Sequence, residues 1–236
     1  MDDTKHAYSQ FVPAAGLANA HIQTILPTYC MPLKSFPSRT ERFELPCGDY
    51  MDGTWTDKDT EGPTVILLHG LQGSCQSHYI QSLMHAIYYD TNWNALAINL
   101  RGCGQDKQRK LKQYHGGDTE DIKFIMNLIK QRNPNQPISM VGYSLGGNIL
   151  LKIFGELKYR NLCETGIAIS PPFDLKKCAL KINSGINSLY QTMFINDIKH
   201  SILTKFPESE QKAQLLSRFD KVTDLLSFDT QITAPM

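Results

Sequence analysis

The chain has 236 residues, 24 of them basic and 23 acidic, for a formal charge of +1. Near-neutrality of that kind gives no electrostatic reason to expect a nucleic-acid or anionic-membrane partner, and no apolar run approaches the ~20 residues of a membrane span. The length suits one large domain or two small ones, and a globule of that size buries roughly 70% of its unfolded surface.

The opening Met1-Asp2-Asp3-Thr4-Lys5-His6 is polar and lacks the pattern of a secretory leader. Six cysteines (Cys30, Cys47, Cys75, Cys103, Cys163, Cys178) are scattered without a C-x-x-C pair or zinc spacing. The expectation is a cytoplasmic protein with free thiols and no metal or cofactor. Residues 1–40 carry Pro13, Pro27, Pro32 and Pro37 and read as an arm without long regular elements. Arg42 to Leu45 alternates like a strand, Cys47-Gly48-Asp49 is a turn, and Tyr50 to Thr56 returns as the hairpin partner.

The pattern is then regular. Thr64 to His69, Asn94 to Leu100, Ile138 to Gly142 and Thr165 to Ser170 are short apolar runs of the kind buried on both sheet faces. Between them, Ile80, Leu83, Met84, Ile87 and Tyr88, then Ile122, Ile125, Met126 and Ile129, then Ile149, Leu150, Ile153, Phe154 and Leu157 recur at helical spacing. This alternation predicts an α/β fold over 41–175, a mostly parallel sheet with helices on both faces. The basic stretch Lys107 to Lys112 reads as a solvated loop. After Pro172 the alternation stops. Ile186, Leu189, Tyr190, Met193 and Phe194, then Glu208 to Phe219, then Lys221 to Phe228 predict three helices. Residues 176–236 therefore read as a helical cap inserted over the sheet, and Thr230 to Met236 as the middle of a loop.

Gly142-Tyr143-Ser144-Leu145-Gly146 matches G-x-S-x-G. The bare pattern arises by chance in roughly one chain in ten of this length, so context decides. Here a β-rich run leads in and an amphipathic helix leads out, the setting of a serine nucleophile on a strained strand-to-helix turn. Flanking glycines let strand and helix approach closely. Ser144 is the candidate nucleophile. The tetrahedral oxyanion it would form needs two N–H donors. One is the backbone of Leu145, and the other is assigned to Leu71 in His69-Gly70-Leu71-Gln72-Gly73. His69 is weighed as a catalytic base, but its place before Ser144 at a strand end suits a loop-shaping role better.

These residues resemble the AB hydrolase 4 family of α/β-hydrolases, which joins bacterial hydrolases to eukaryotic esterases and acylglycerol lipases. The likeness rests on Asn19 to Ile25, His69-Gly70-Leu71 with Gly73-Ser74, Asn99 to Gly104, Tyr114 to Asp121, and Gly142 to Asn148. It implies an α/β-hydrolase fold and carboxylic ester hydrolysis through a serine, acting on a small-molecule ester of the acylglycerol kind. Each auxiliary motif also has a structural reading. Asp118, Thr119 and Asp121 open a helix as caps and dipole partners, His115 bonds within its loop, and His21, Gln23 and Thr24 tie the arm to the domain.

In this fold the acid and the histidine follow the serine, and the resemblance places them on two further strand-end loops past the cap. The only later histidine is His200, inside a predicted cap helix, where it has no family match. Asp174 follows the fourth core strand and lacks a histidine to orient. The expectation is a C-terminally truncated chain, missing its last strands, impaired as an esterase, and ending its sheet in an uncovered apolar strand. Two alternatives stay open: a non-catalytic remnant that binds an acyl ligand, and a partner chain that completes the sheet.

Overall fold

Six strands make one sheet: β1 (Ser38–Glu44), β2 (Tyr50–Thr56), β3 (Thr64–Leu68), β4 (Asn94–Ile98), β5 (Ile138–Tyr143) and β6 (Thr165–Ile169). The computed structural model describes residues 11–30, 32–58, 60–156 and 162–235, so Leu157, expected on a core helix, lies outside the described residues. The chain divides into two compact units, one ending at Leu33 and one starting at Lys34.

In the second unit the sheet order is β1-β2-β4-β3-β5-β6. The hairpin β1–β2 joins antiparallel, and β4, β3, β5 and β6 run parallel. Residues of β3 alternate between two cores. Ile66 and Leu68 face helices α3 (Glu120–Arg132) and α4 (Leu145–Gly155), and Val65 and Leu67 face α2 (His78–Asp90). That burial on both faces is why the strands read as unbroken apolar runs. The chain leaves β3 for β4 on one side and returns to β5 on the other. The C-terminal ends of β3 and β5 thus meet where the winding reverses, the place where open α/β sheets carry their sites. At the far margin β6 pairs only with β5 among the described residues, and Ile167 is 58% exposed.

Past β6 come α5 (Leu175–Ile182), α6 (Ser188–Lys205), α7 (Glu210–Ser217) and the single turn α8 (Leu225–Phe228). Ile198, Ile202, Phe206, Leu215, Phe219, Phe228 and Ile232 give these helices a core of their own, and Leu71 packs against it. Ser201 Oγ donates to the Gly102 carbonyl at 2.9 Å, tying α6 to the loop after β4.

The structure corrects several expectations. The arm carries an eleven-residue helix, α1 (Ala20–Cys30), with Pro27 inside it. Its start is capped by Asn19 Oδ1, which accepts from the N–H groups of His21 and Ile22. Pro27 therefore removes one interior bond from a helix already nucleated. Gln23 donates to the Leu17 carbonyl and Thr24 to that of Ala20, within the same unit. The segment after β6 carries one more helix than the three expected, α5. The short α5 repeats Leu175, Cys178, Ala179 and Ile182 at helical spacing yet buries no residue, and Asp174 caps it, accepting from Lys177 N–H at 2.9 Å. That is the role the structure gives Asp174. Residues Asp229–Thr233 form a π-helical turn with Ile232 buried, where a loop was expected. The basic stretch Lys107 to Lys112 is the expected loop with Lys107, Arg109 and Lys110 exposed, though Gln108 is buried and Arg109 pairs with Glu44 over the Tyr50 ring. No helix among the described residues is long and apolar enough to cross a membrane.

Candidate active site

Ser144 sits between the end of β5 and the start of α4 with φ 51° and ψ −119°. A non-glycine residue held there stores roughly 1–3 kcal/mol of strain, so its surroundings must enforce it. Ser144 N–H donates to the Ile169 carbonyl at 2.9 Å, extending the pairing of β5 with β6. The Ser144 carbonyl accepts from the N–H of Gly147 at 2.9 Å. A Cβ on Gly142 would lie 2.4 Å from the Gly146 carbonyl oxygen, and one on Gly146 would lie 2.5 Å from that of His69. Only glycine lets strand and helix close on this turn. Ser144 is exposed, and among the described residues its Oγ engages no hydrogen-bond partner.

The loop after β3 stands against this serine. A Cβ on Gly70 would be 3.1 Å from Ser144 Cβ and 3.7 Å from its Oγ. The peptide N–H groups of Leu71 and Leu145, the two expected donors, have no acceptor among the described residues. His69 shapes the loop. Its Nε2 accepts the Leu100 N–H at 3.1 Å, and its Nδ1 lies 2.7 Å from the Gly70 carbonyl, to which it donates. Both ring nitrogens are therefore occupied by backbone, which removes His69 as a base for Ser144. Burial pushes its pKa down to about 4. Since the folded value lies below the unfolded ~6.5, the unfolded chain takes up the proton first as pH falls. The contribution is full above pH ~6.5 and is lost from there down to about 4, to a total of about 3 kcal/mol. An NMR titration should show the His69 imidazole neutral at pH 5.5, with the proton on Nδ1. An imidazolium at that pH would contradict this geometry.

A charge cluster fixes the same end of the sheet. Arg101, 1% exposed in the loop after β4, donates from Nε and Nη2 to Asp121 at 2.6 and 2.9 Å and from Nη1 to Asp49 at 2.7 Å. It joins the β1–β2 turn, the β4 loop and the first turn of α3. The Arg101 guanidinium also holds the Cys47 thiol, 3.2 Å away, below its usual range, against the opposing effect of burial. Asp121 is therefore occupied by Arg101, and this corrects the reading of Asp118, Thr119 and Asp121 as simple caps. Thr119 stands at the cap position without a side-chain cap bond and donates instead to Glu156. Asp118 lies 3.3 Å from Lys112 Nζ. His115 Nδ1 accepts from Gly117 N–H, within its own loop as expected. Gly116 in that loop abuts the Leu145 side chain.

His200 lines a cavity of about 280 Å³ with Gln72, Gly73, Ser74, Gly102 and Asp197. Ser144 is not among the residues of that lining. Sequence reasoning missed Tyr79 and Tyr114, whose hydroxyls reach this loop. Tyr114 belongs to a segment already noted, but nothing in one sequence shows where a phenol points.

A family model described as alpha/beta hydrolase fold matches residues 63–223. YheT of Escherichia coli, a provisionally named esterase, is 29% identical over 230 residues, 96% of this chain and 67% of that protein. The monoacylglycerol lipase of Saccharomyces cerevisiae is 30% identical over 186 residues, 76% of this chain and 41% of that one. Phospholipase ABHD3 of Homo sapiens is 21% identical over 222 residues, 91% and 54%. The chain thus spans between 41% and 67% of the length of these relatives. Among solved structures, the Pyrococcus furiosus esterase Pf2001 matches with a TM-score of 0.54 at 22% identity, over 72% of this chain and 68% of that one, a likeness of fold alone.

Proposed function

The chain belongs to the alpha/beta hydrolase fold family, and from that premise we propose that it is a carboxylic ester hydrolase of the esterase and acylglycerol-lipase kind, acting through an acyl-enzyme on Ser144. The observation that carries the reading is the strained, exposed serine between β5 and α4, set against a loop whose Leu71 N–H has no acceptor among the described residues. In this reading Ser144 Oγ attacks the ester carbonyl. The developing oxyanion accepts from the N–H groups of Leu71 and Leu145, donors already in place before charge appears. The names of the relatives, an esterase, a monoacylglycerol lipase and a phospholipase, support an ester of a fatty acid as the substrate class. Residues 41–175 act as the hydrolase core and 176–236 as the cap over it. No side chain is assigned as acid or base. With its Oγ unpartnered among the described residues, Ser144 is a weak nucleophile in this state, and ester turnover is expected to be slow.

Turnover is a poor test for that reason. In a serine hydrolase the members of the triad act as a unit, so removing the serine where no base is engaged costs little further. Reaction with excess fluorophosphonate over hours is the better one, because a single slow phosphonylation accumulates as a countable adduct where slow turnover is lost in background hydrolysis. Intact-mass spectrometry should show one phosphonyl adduct, mapped to Ser144 and absent from Ser144→Ala. An adduct on another residue, or equal labelling of the variant, rules the assignment out. A chain that keeps its fold, binds a fatty acyl ligand and never labels would be a binding remnant.

A further inference from the structure

The four peptide N–H groups from Gly70 to Gly73 have different destinations. That of Gly70 donates to the Tyr79 hydroxyl at 3.1 Å, that of Gln72 to the Tyr114 hydroxyl at 2.8 Å, and that of Gly73 to the Gly70 carbonyl at 3.0 Å. Only the N–H of Leu71 has no acceptor among the described residues. The carbonyl of its own peptide, on Gly70, is taken by His69 and Gly73. In a planar trans peptide the N–H points opposite to the carbonyl, so that plane cannot turn unless its neighbours turn too.

Two phenols hold those neighbours. Gln72 has φ 54°, a left-handed conformation that a glutamine does not choose unaided. Tyr114, 5% exposed, meets its N–H from a fixed position, with its ring edge against His69 at 6.1 Å between centroids. Tyr79 reaches from α2. Its ring lies 4.6 Å from that of Tyr143, the residue before the serine, and its hydroxyl fills the space beside Gly73, where a Cβ would come within 2.7 Å. One phenol therefore touches the loop and the serine's own turn together. Burial pushes the Tyr114 hydroxyl well above its usual pKa, so it is the neutral phenol oxygen that accepts the Gln72 N–H.

We infer that Tyr79 and Tyr114 are positioning residues whose hydroxyls, by taking the N–H groups on either side, leave the Leu71 N–H as the loop's one donor aimed at the site. This rests on the proposed role of Leu71 at Ser144. The inference assigns the tyrosines no contact with substrate.

Tyr79→Phe and Tyr114→Phe delete one oxygen each and keep the ring. The readout is fluorophosphonate labelling of Ser144 at varied probe concentration, which separates the limiting rate from the half-saturating concentration. Deleting an oxyanion donor outright costs about 10²–10³ in rate, and misaiming one forfeits part of that. Each variant should therefore lower the limiting rate about tenfold or more, with the half-saturating concentration and melting temperature near those of the parent. Tyr88→Phe, on the same helix as Tyr79, should label at the parent rate. Limiting rates within twofold of the parent for both variants overturn the inference. So does a loss spread over rate, half-saturation and melting temperature alike, which marks the phenols as general packing. A parent chain that does not label at Ser144 instead sinks the nucleophile assignment, and the two failures are told apart by that control.

Discussion

Replacing Arg101 with methionine should cost about 3–5 kcal/mol of stability, the range for breaking a buried ion pair from one side. The guanidinium is 1% exposed and is the partner of two carboxylates, of which Asp49 is wholly buried. Methionine fills similar space but leaves the Asp49 charge to uncharged donors alone, the Arg109 N–H at 2.9 Å and the buried Gln108 amide. With a total stability of about 5–15 kcal/mol, such a loss lowers the melting temperature by roughly 6–20 °C for a chain of this size. A urea titration should show the midpoint falling with little change in slope. Adding Asp49→Asn to the variant should recover part of the loss, since the stranded charge is then gone. A single-variant loss under about 1 kcal/mol would mean the cluster is solvated in a way its burial denies.

The second large effect is a methyl group at Gly146. In an open helical position, glycine to alanine gains up to about 1 kcal/mol. At Gly146 the new Cβ would lie 2.5 Å from the His69 carbonyl oxygen and 2.6 Å from that of Leu68. Both are backbone atoms at the end of β3, so relief requires moving the strand end that carries the Leu71 loop. Gly146→Ala should destabilise by about 2–3 kcal/mol and slow labelling of Ser144. Gly155, in the same helix, has nothing within 4 Å of its Cβ position. Gly155→Ala should be neutral or stabilising, and the opposite signs of the two variants are the check. Equal effects would show that helix propensity, and not the approach of strand to helix, governs the turn.

What one sequence reveals here follows from how local each cause is. Strands β3 to β6 and the three core helices are legible because burial on a sheet writes itself into runs and 3.6-residue spacings. The turn at Ser144 is legible because its glycines must stand two residues to either side. The helix over Ala20–Cys30 was hidden by Pro27, a strong signal outweighed by the Asn19 cap. The helix α5 carries the spacing at Leu175, Cys178, Ala179 and Ile182, but over only eight residues, too short a run to stand out. Longer-range causes leave no local trace. Arg101 and Asp49 are 52 positions apart, and Gln72 and Tyr114 are 42. Each of these residues is ordinary where it stands, and its work is visible only once the chain is folded.

The central claim is that Ser144 faces two waiting peptide donors. A crystal structure of the chain after reaction with a fluorophosphonate measures this directly. The account predicts phosphorus bonded to Ser144 Oγ, with the phosphoryl oxygen about 2.7–3.1 Å from the backbone nitrogens of both Leu71 and Leu145. Phosphorus on any other side chain, or a phosphoryl oxygen turned to solvent and away from both nitrogens, would contradict it.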